Sequence, residues 1–186
     1  MELIGLYLVA CVLLVAAGIA KALRPDDTAR ALLTVLPIPI TCQRMRTAVR
    51  VGSAAEAALG AAAITAPGPI TAGLVALSYG IFTGVVAYER RRGGAIASCG
   101  CFGAPDTPAA MVHVVINGGL AVAAAAIAWA EPRHSMLSIL SRQPVHGLPL
   151  IVVSALCAYL AYLALSVLAA LRAARTLTGI TFDRNR

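Results

Sequence analysis

The sequence predicts an all-α membrane protein, a bundle of about five transmembrane helices. Three observations carry that expectation. Of 186 residues, 60% are hydrophobic and only 12% charged; the apolar residues fall into stretches of 18 to 24; and the cations gather between those stretches. A soluble domain is roughly 45–50% apolar and ~25% charged, and an ordinary core has no room for the excess. A bilayer has: five helices of ~20 residues each leave only short connections. The mean hydropathy of +0.85 agrees. The lipid bilayer is thus the first partner, the net charge of +7 bears on topology, and nucleic acid is not an expected partner.

The first span is Leu3–Ala20, uninterrupted until Lys21. Its flank carries Glu2 and no cation, unlike a cleaved signal, so it is read as a retained helix. Thr47–Ala66 is rich in alanine and glycine, with Arg50 and Glu56 inside it. Ile70–Tyr88 follows the turn Pro67-Gly68-Pro69, in which proline stops one helix and glycine permits the reversal. Ala109–Ala130 and Leu148–Leu171 complete the set. The stretch Ala31–Cys42, broken by Pro37 and Pro39, is too short to cross and reads as interfacial or re-entrant. Residues 131–147 form an outer loop and 172–186 a basic tail.

Cations set the orientation. Lys21, Arg24, Arg30, Arg44, Arg46, Arg90, Arg91, Arg92, Arg172, Arg175, Arg184 and Arg186 fall on one side, while Arg133 and Arg142 fall on the other. The expectation is a multi-pass protein of the cell (inner or plasma) membrane, N-terminus outside and C-terminus cytoplasmic.

Membrane helices associate through close packing and polar contacts. The small residues of the second span and the Gly80/Gly84 pair of the third therefore read as tight bundle interior. Polar groups at depth are costly and carry more information. Glu56 is either a proton-linked or cofactor-contacting carboxylate facing the interior, or a structural hydrogen bond between helices. Arg50 reads as snorkelling to the headgroups. His113 and Asn117, four residues apart, share one face of the fourth span.

The chemistry concentrates in Ser98-Cys99-Gly100-Cys101-Phe102-Gly103. Packing offers no reason for two thiols in a glycine loop. Asp106-Thr107-Pro108 has the form of a helix start, and a thiol beside a positive helix end is more readily a thiolate. A disulfide between cysteines two apart is small, strained and easily reduced. Cys42 falls on the same side and reads either as a resolving thiol for the pair or as an incidental interfacial one. Cys11 and Cys157 lie in apolar spans as small hydrophobes.

That Cys-Gly-Cys-Phe-Gly loop between the third and fourth helices resembles the MauE-like, DoxX-related membrane proteins of methylamine utilisation. The resemblance covers roughly residues 1–130 and implies a four-helix core, with the fifth helix and tail as an addition. It implies an association with thiol redox and disulfide maturation of partners. Lys21, Glu56 and Asn117 fall where the family tends to have lysine, glutamate and asparagine. Ile116 stands where the family often has arginine, which removes any anion contact such an arginine makes.

The function expected is a membrane thiol–disulfide oxidoreductase or redox-coupling protein. It would cycle Cys99 and Cys101 with a thioredoxin-like or substrate protein, with a quinone as the candidate cofactor. Glu56, His113 and Asn117 are the candidate contacts for that cofactor. One tension follows from the charge pattern: it puts the cysteines inside, where thiols are kept reduced. A loop dipping back through the apolar Gly93–Ala97 stretch, or import of reducing equivalents, relieves it; the first is preferred. Two alternatives stand beside this reading: a non-catalytic membrane subunit holding a partner complex, and soft-metal handling by Cys42, Cys99, Cys101 and His113. No resident metal is assigned.

Overall fold

The structure, a computed structural model, describes residues 2–35, 39–91, 111–130 and 144–163. The cysteine loop with Cys99 and Cys101, the outer loop as far as residue 143, and the basic tail lie outside the described residues. Six helices are seen: α1 (Glu2–Leu23), α2 (Pro25–Val35), α3 (Cys42–Thr65), α4 (Pro69–Arg91), α5 (Met111–Trp129) and α6 (Pro144–Leu163).

The fold is all-helical among the described residues, as the composition requires. Among the described residues three helices are long and apolar enough to cross a membrane: Leu3–Leu23, Pro69–Tyr88 and Met111–Trp129. At 24 residues α3 has the length, but Arg44, Arg46, Arg50 and Glu56 make it more polar. The fifth expected span, 148–171, is described only through Leu163.

Large apolar side chains point outward, as in a bundle surrounded by lipid rather than water. Leu77, Val122 and Trp129 are 58%, 71% and 92% exposed. A soluble protein would hide such residues. The interior is a seam of Tyr7, Leu14 and Val75 with Leu120, Ala124 and Ile127.

The central helix is α1, which packs against α3, α5 and α6. Its contact with α3 is antiparallel and backbone-close. A Cβ on Gly60 would stand 2.8 Å from the Cys11 carbonyl oxygen and 2.8 Å from Val15 Cγ2. One on Gly18 would stand 2.7 Å from both the Ala57 nitrogen and the Ser53 oxygen. Only glycine allows this approach, and close approach is how membrane helices gain packing energy.

Gly60 was expected at such a contact among the small residues of its span; Gly80 and Gly84 were expected there too, but a Cβ on either would meet nothing within 4 Å. They face outward because α4 turns Val75, Tyr79 and Val86 inward instead. The turn after α3 forms as expected. Gly68 donates its N–H to Thr71 Oγ1 at 2.9 Å, and the Thr71 hydroxyl donates back to the Gly68 carbonyl at 3.0 Å.

Helix α3 begins five residues before the expected span. The reason lies in α2. Pro25 lacks an N–H and interrupts α1, yet the chain resumes as α2 and packs on the first turns of α3. Ala29, Met45 and Val49 form a second small core there, with Leu32 and Leu33 against it. Asp26 pairs with Arg46 across the two helices, and Asp27 pairs with Arg30 along α2 at 2.7 Å. The residues 31–35 expected to be interfacial are thus the end of a helix.

Candidate functional site

Lys21 ends an apolar helix, where a lysine normally reaches water. Here it turns inward. Its Nζ donates to Glu56 Oε2 of α3 at 2.5 Å, and the two side chains are only 8% and 24% exposed. The ammonium also lies 4.5 Å from the centre of the Phe82 ring of α4, within reach of a cation–π contact. Three helices therefore meet at one buried charge pair. Burial strips water from both ions, so each is tolerated there only because the other is present.

The same arrangement orders α4. Phe82 stands edge-on to Tyr79, with ring centres 5.8 Å apart and planes at 87°. Tyr79 is buried and donates its hydroxyl to the Ala10 carbonyl of α1 at 2.7 Å. Ala10 and Lys21 of α1 thus meet Tyr79 and Phe82 of α4 in the same order along the chain. Arg50 is exposed, and its Nε donates to the Ala22 carbonyl at 3.3 Å.

On α5, His113 and Asn117 both face inward, 1% and 6% exposed. They open the helix, and its later residues Leu120, Ala124 and Ile127 join the seam with the first halves of α1 and α4. The polar start of α5 therefore lies at the Lys21 end of the bundle. Residues 92–110, which carry Cys99 and Cys101, join Arg91 of α4 to Met111 of α5 at that same end.

Cys42, the candidate resolving thiol, is exposed at the first position of α3. Cys11 is fully buried against α3, whereas Cys157 is exposed on α6. No described group of three His, Cys, Asp or Glu side chains is placed to hold a metal ion.

Sequence reasoning treated Lys21 mainly as an orienting cation and left Glu56 with no partner. The residues that complete the site, Phe82 and Tyr79, carry no signal in the sequence beyond aromatic character. The clues were that α1 stays apolar up to Lys21 with no break before it, and that Lys21 and Glu56 both fall at positions the resemblance marked.

These features define a helical membrane protein with a polar interior at one end of its bundle. The family model of the methylamine utilisation protein MauE matches residues 2–130, well over half of the chain. The chain belongs to the MauE family. The match stops where α5 stops, so α6 lies beyond it. None of the curated proteins and none of the solved structures compared with the chain matches it.

Proposed function

We propose that this protein is a membrane thiol–disulfide redox protein that cycles Cys99 and Cys101 with a thioredoxin-like or substrate protein. The observation that carries the reading is positional: the loop with the two cysteines is tethered to the bundle end where Lys21, His113 and Asn117 are buried and Glu56 is half-buried. Lys21 and Glu56 satisfy each other, but apolar packing gives no reason for His113 and Asn117 to be turned inward beside them.

The exchange balances as follows. With the pair reduced, one loop thiolate attacks a sulfur of the partner's disulfide, and the partner's other sulfur leaves as a thiolate and takes a proton. The second loop thiolate then attacks the mixed disulfide. The loop ends as a disulfide and the partner as a dithiol, with two electrons transferred. The reverse direction oxidises the partner. Cys42, exposed at the start of α3, would serve as a resolving thiol where the second loop cysteine is engaged.

Net turnover needs a co-reactant for the two electrons, and a membrane quinone is the class proposed. Asn117 supports the fit, because its carboxamide is turned into the bundle at the polar end and carries N–H groups that a carbonyl oxygen accepts. Asn117 and His113 would donate to a quinone's carbonyl oxygens, with Glu56, held by Lys21, beside them as an acceptor; when bound, the quinone would accept two electrons and two protons.

Differential alkylation of Cys42, Cys99 and Cys101 in intact cells, read by mass spectrometry, tests the reading. A mixed population of oxidised and reduced Cys99/Cys101 is expected, shifting with added oxidant or reductant. A Cys101→Ser variant should accumulate a mixed disulfide through Cys99. A loop that stays fully reduced under both treatments, with no adduct in the variant, overturns it.

A further inference from the structure

The charges at the Lys21 end divide into two sets. Beyond the end of α1, on α2 and the first turns of α3, two of the three arginines are neutralised by the protein, Arg46 by Asp26 and Arg30 by Asp27, with Arg44 exposed. Level with the ends of the apolar spans they are not. Arg24 follows directly on the span Leu3–Leu23. Arg50 is tied to the Ala22 carbonyl, which puts its guanidinium beside the same helix end. Arg90 and Arg91 follow the span Pro69–Tyr88 at that end. All four are exposed, and none pairs with a carboxylate among the described residues.

The surroundings of Arg24 and Arg50 are amphipathic. Leu23 and Val51, the neighbours of these two arginines, are 74% and 64% exposed. Uncompensated guanidinium beside outward apolar surface, at the edge of a membrane span, matches one kind of ligand. Its phosphate takes the bidentate hydrogen bonds of guanidinium, and its acyl chains cover the apolar side chains.

We propose that Arg24 and Arg50, at the junction of α1, α2 and α3, hold the headgroup of an anionic phospholipid. Arg90 and Arg91 extend the same cationic level. An acidic soluble protein is the weaker occupant, because Leu23 and Val51 beside the two arginines present apolar surface that acyl chains cover and an acidic surface does not. The bond from Arg50 to Ala22 also makes the site a clasp: a lipid seated there joins the end of α1 to α3, next to the Lys21–Glu56 pair.

The test uses the full chain in mixed micelles, with phosphatidylglycerol or phosphatidylcholine titrated as mole fraction and thermal unfolding as the readout. A ligand that binds the folded state raises Tm with its concentration. Phosphatidylglycerol should raise Tm saturably, phosphatidylcholine should not, and added salt should weaken the effect. In an Arg24→Gln/Arg50→Gln variant the mole fraction for half the shift should rise about 30-fold, roughly fivefold for each arginine removed. Arg30→Gln, whose partner is Asp27, should leave it unchanged.

Native mass spectrometry of the wild type and the double variant counts retained phosphatidylglycerol independently of any change in folding stability. Equal shifts from both lipids, or equal retention by wild type and double variant, overturns the proposal. A shift produced by polyglutamate and not by phosphatidylglycerol also overturns it, in favour of an acidic protein partner.

Discussion

Replacing Glu56 by leucine isolates the buried ion pair. The substitution leaves the Lys21 ammonium inside the bundle without its 2.5 Å carboxylate partner. Removing one half of a buried ion pair costs about 3–5 kcal/mol. Two features bring this toward the lower end. The Glu56 side chain is 24% exposed, so the stranded lysine has a route to solvent. The Phe82 ring at 4.5 Å keeps attracting the ammonium, which returns about 1 kcal/mol. The expected loss is thus about 2–3 kcal/mol, a fall in Tm on the order of 5–10 °C for a chain of this size.

The pairing is what should matter, not the glutamate. A Lys21→Met/Glu56→Leu double variant replaces both ions by apolar groups of similar volume and should return to within about 1 kcal/mol of wild type. Thermal unfolding in detergent, followed by circular dichroism, measures all four corners of the cycle. A single Glu56→Leu variant as stable as wild type, or a double variant no better than the worse single one, refutes the coupling.

Other expectations follow from the packing. Gly60→Val should destabilise by about 1–3 kcal/mol, because its side chain would meet the Cys11 carbonyl and Val15 of α1; thermal unfolding reads this. Gly80→Ala should instead be neutral or stabilising by up to about 1 kcal/mol, since the site is open; a loss comparable to that of Gly60→Val would mean Gly80 is a packing position after all. Tyr79→Phe removes the hydroxyl bond to Ala10 and should cost about 1 kcal/mol, again from the melting curve. Asp26→Asn breaks only an exposed pair with Arg46 and should change stability by less than about 1 kcal/mol, with the loss fading in salt. Under native conditions a maleimide should label the exposed Cys42 rapidly and the buried Cys11 only on unfolding; equal rates would contradict the burial of Cys11 against α3.

Much of this protein was legible in its sequence, and the legible part is the part governed by local chemistry. Apolar runs longer than a bilayer is thick must be membrane helices, because lipid offers the backbone no hydrogen bonds. A Pro-Gly-Pro turn must end one helix and begin the next. His113 and Asn117 had to share a face, since their spacing is one helical turn, and both are buried. The Cys-Gly-Cys loop stood out because nothing about packing accounts for it.

What the tertiary structure decided is which of several chemically equivalent residues meets which. Gly18 and Gly60 rather than Gly80 and Gly84 carry the close approach, because that depends on the rotation of α1 and α3 about their axes. Helical spacing leaves that rotation undetermined when small residues occur all round α3. That residues 25–35 form a helix packed on α3 was not legible, because its stabilising partners, Met45, Val49 and Arg46, are remote in sequence. Lys21 read as one orienting cation among twelve. Only the antiparallel contact of α1 with α3 put Glu56 opposite it and turned a helix-end lysine into half of a buried pair. Charge in a membrane is tolerated where it is paired, and pairing across thirty-five residues is a property of the fold.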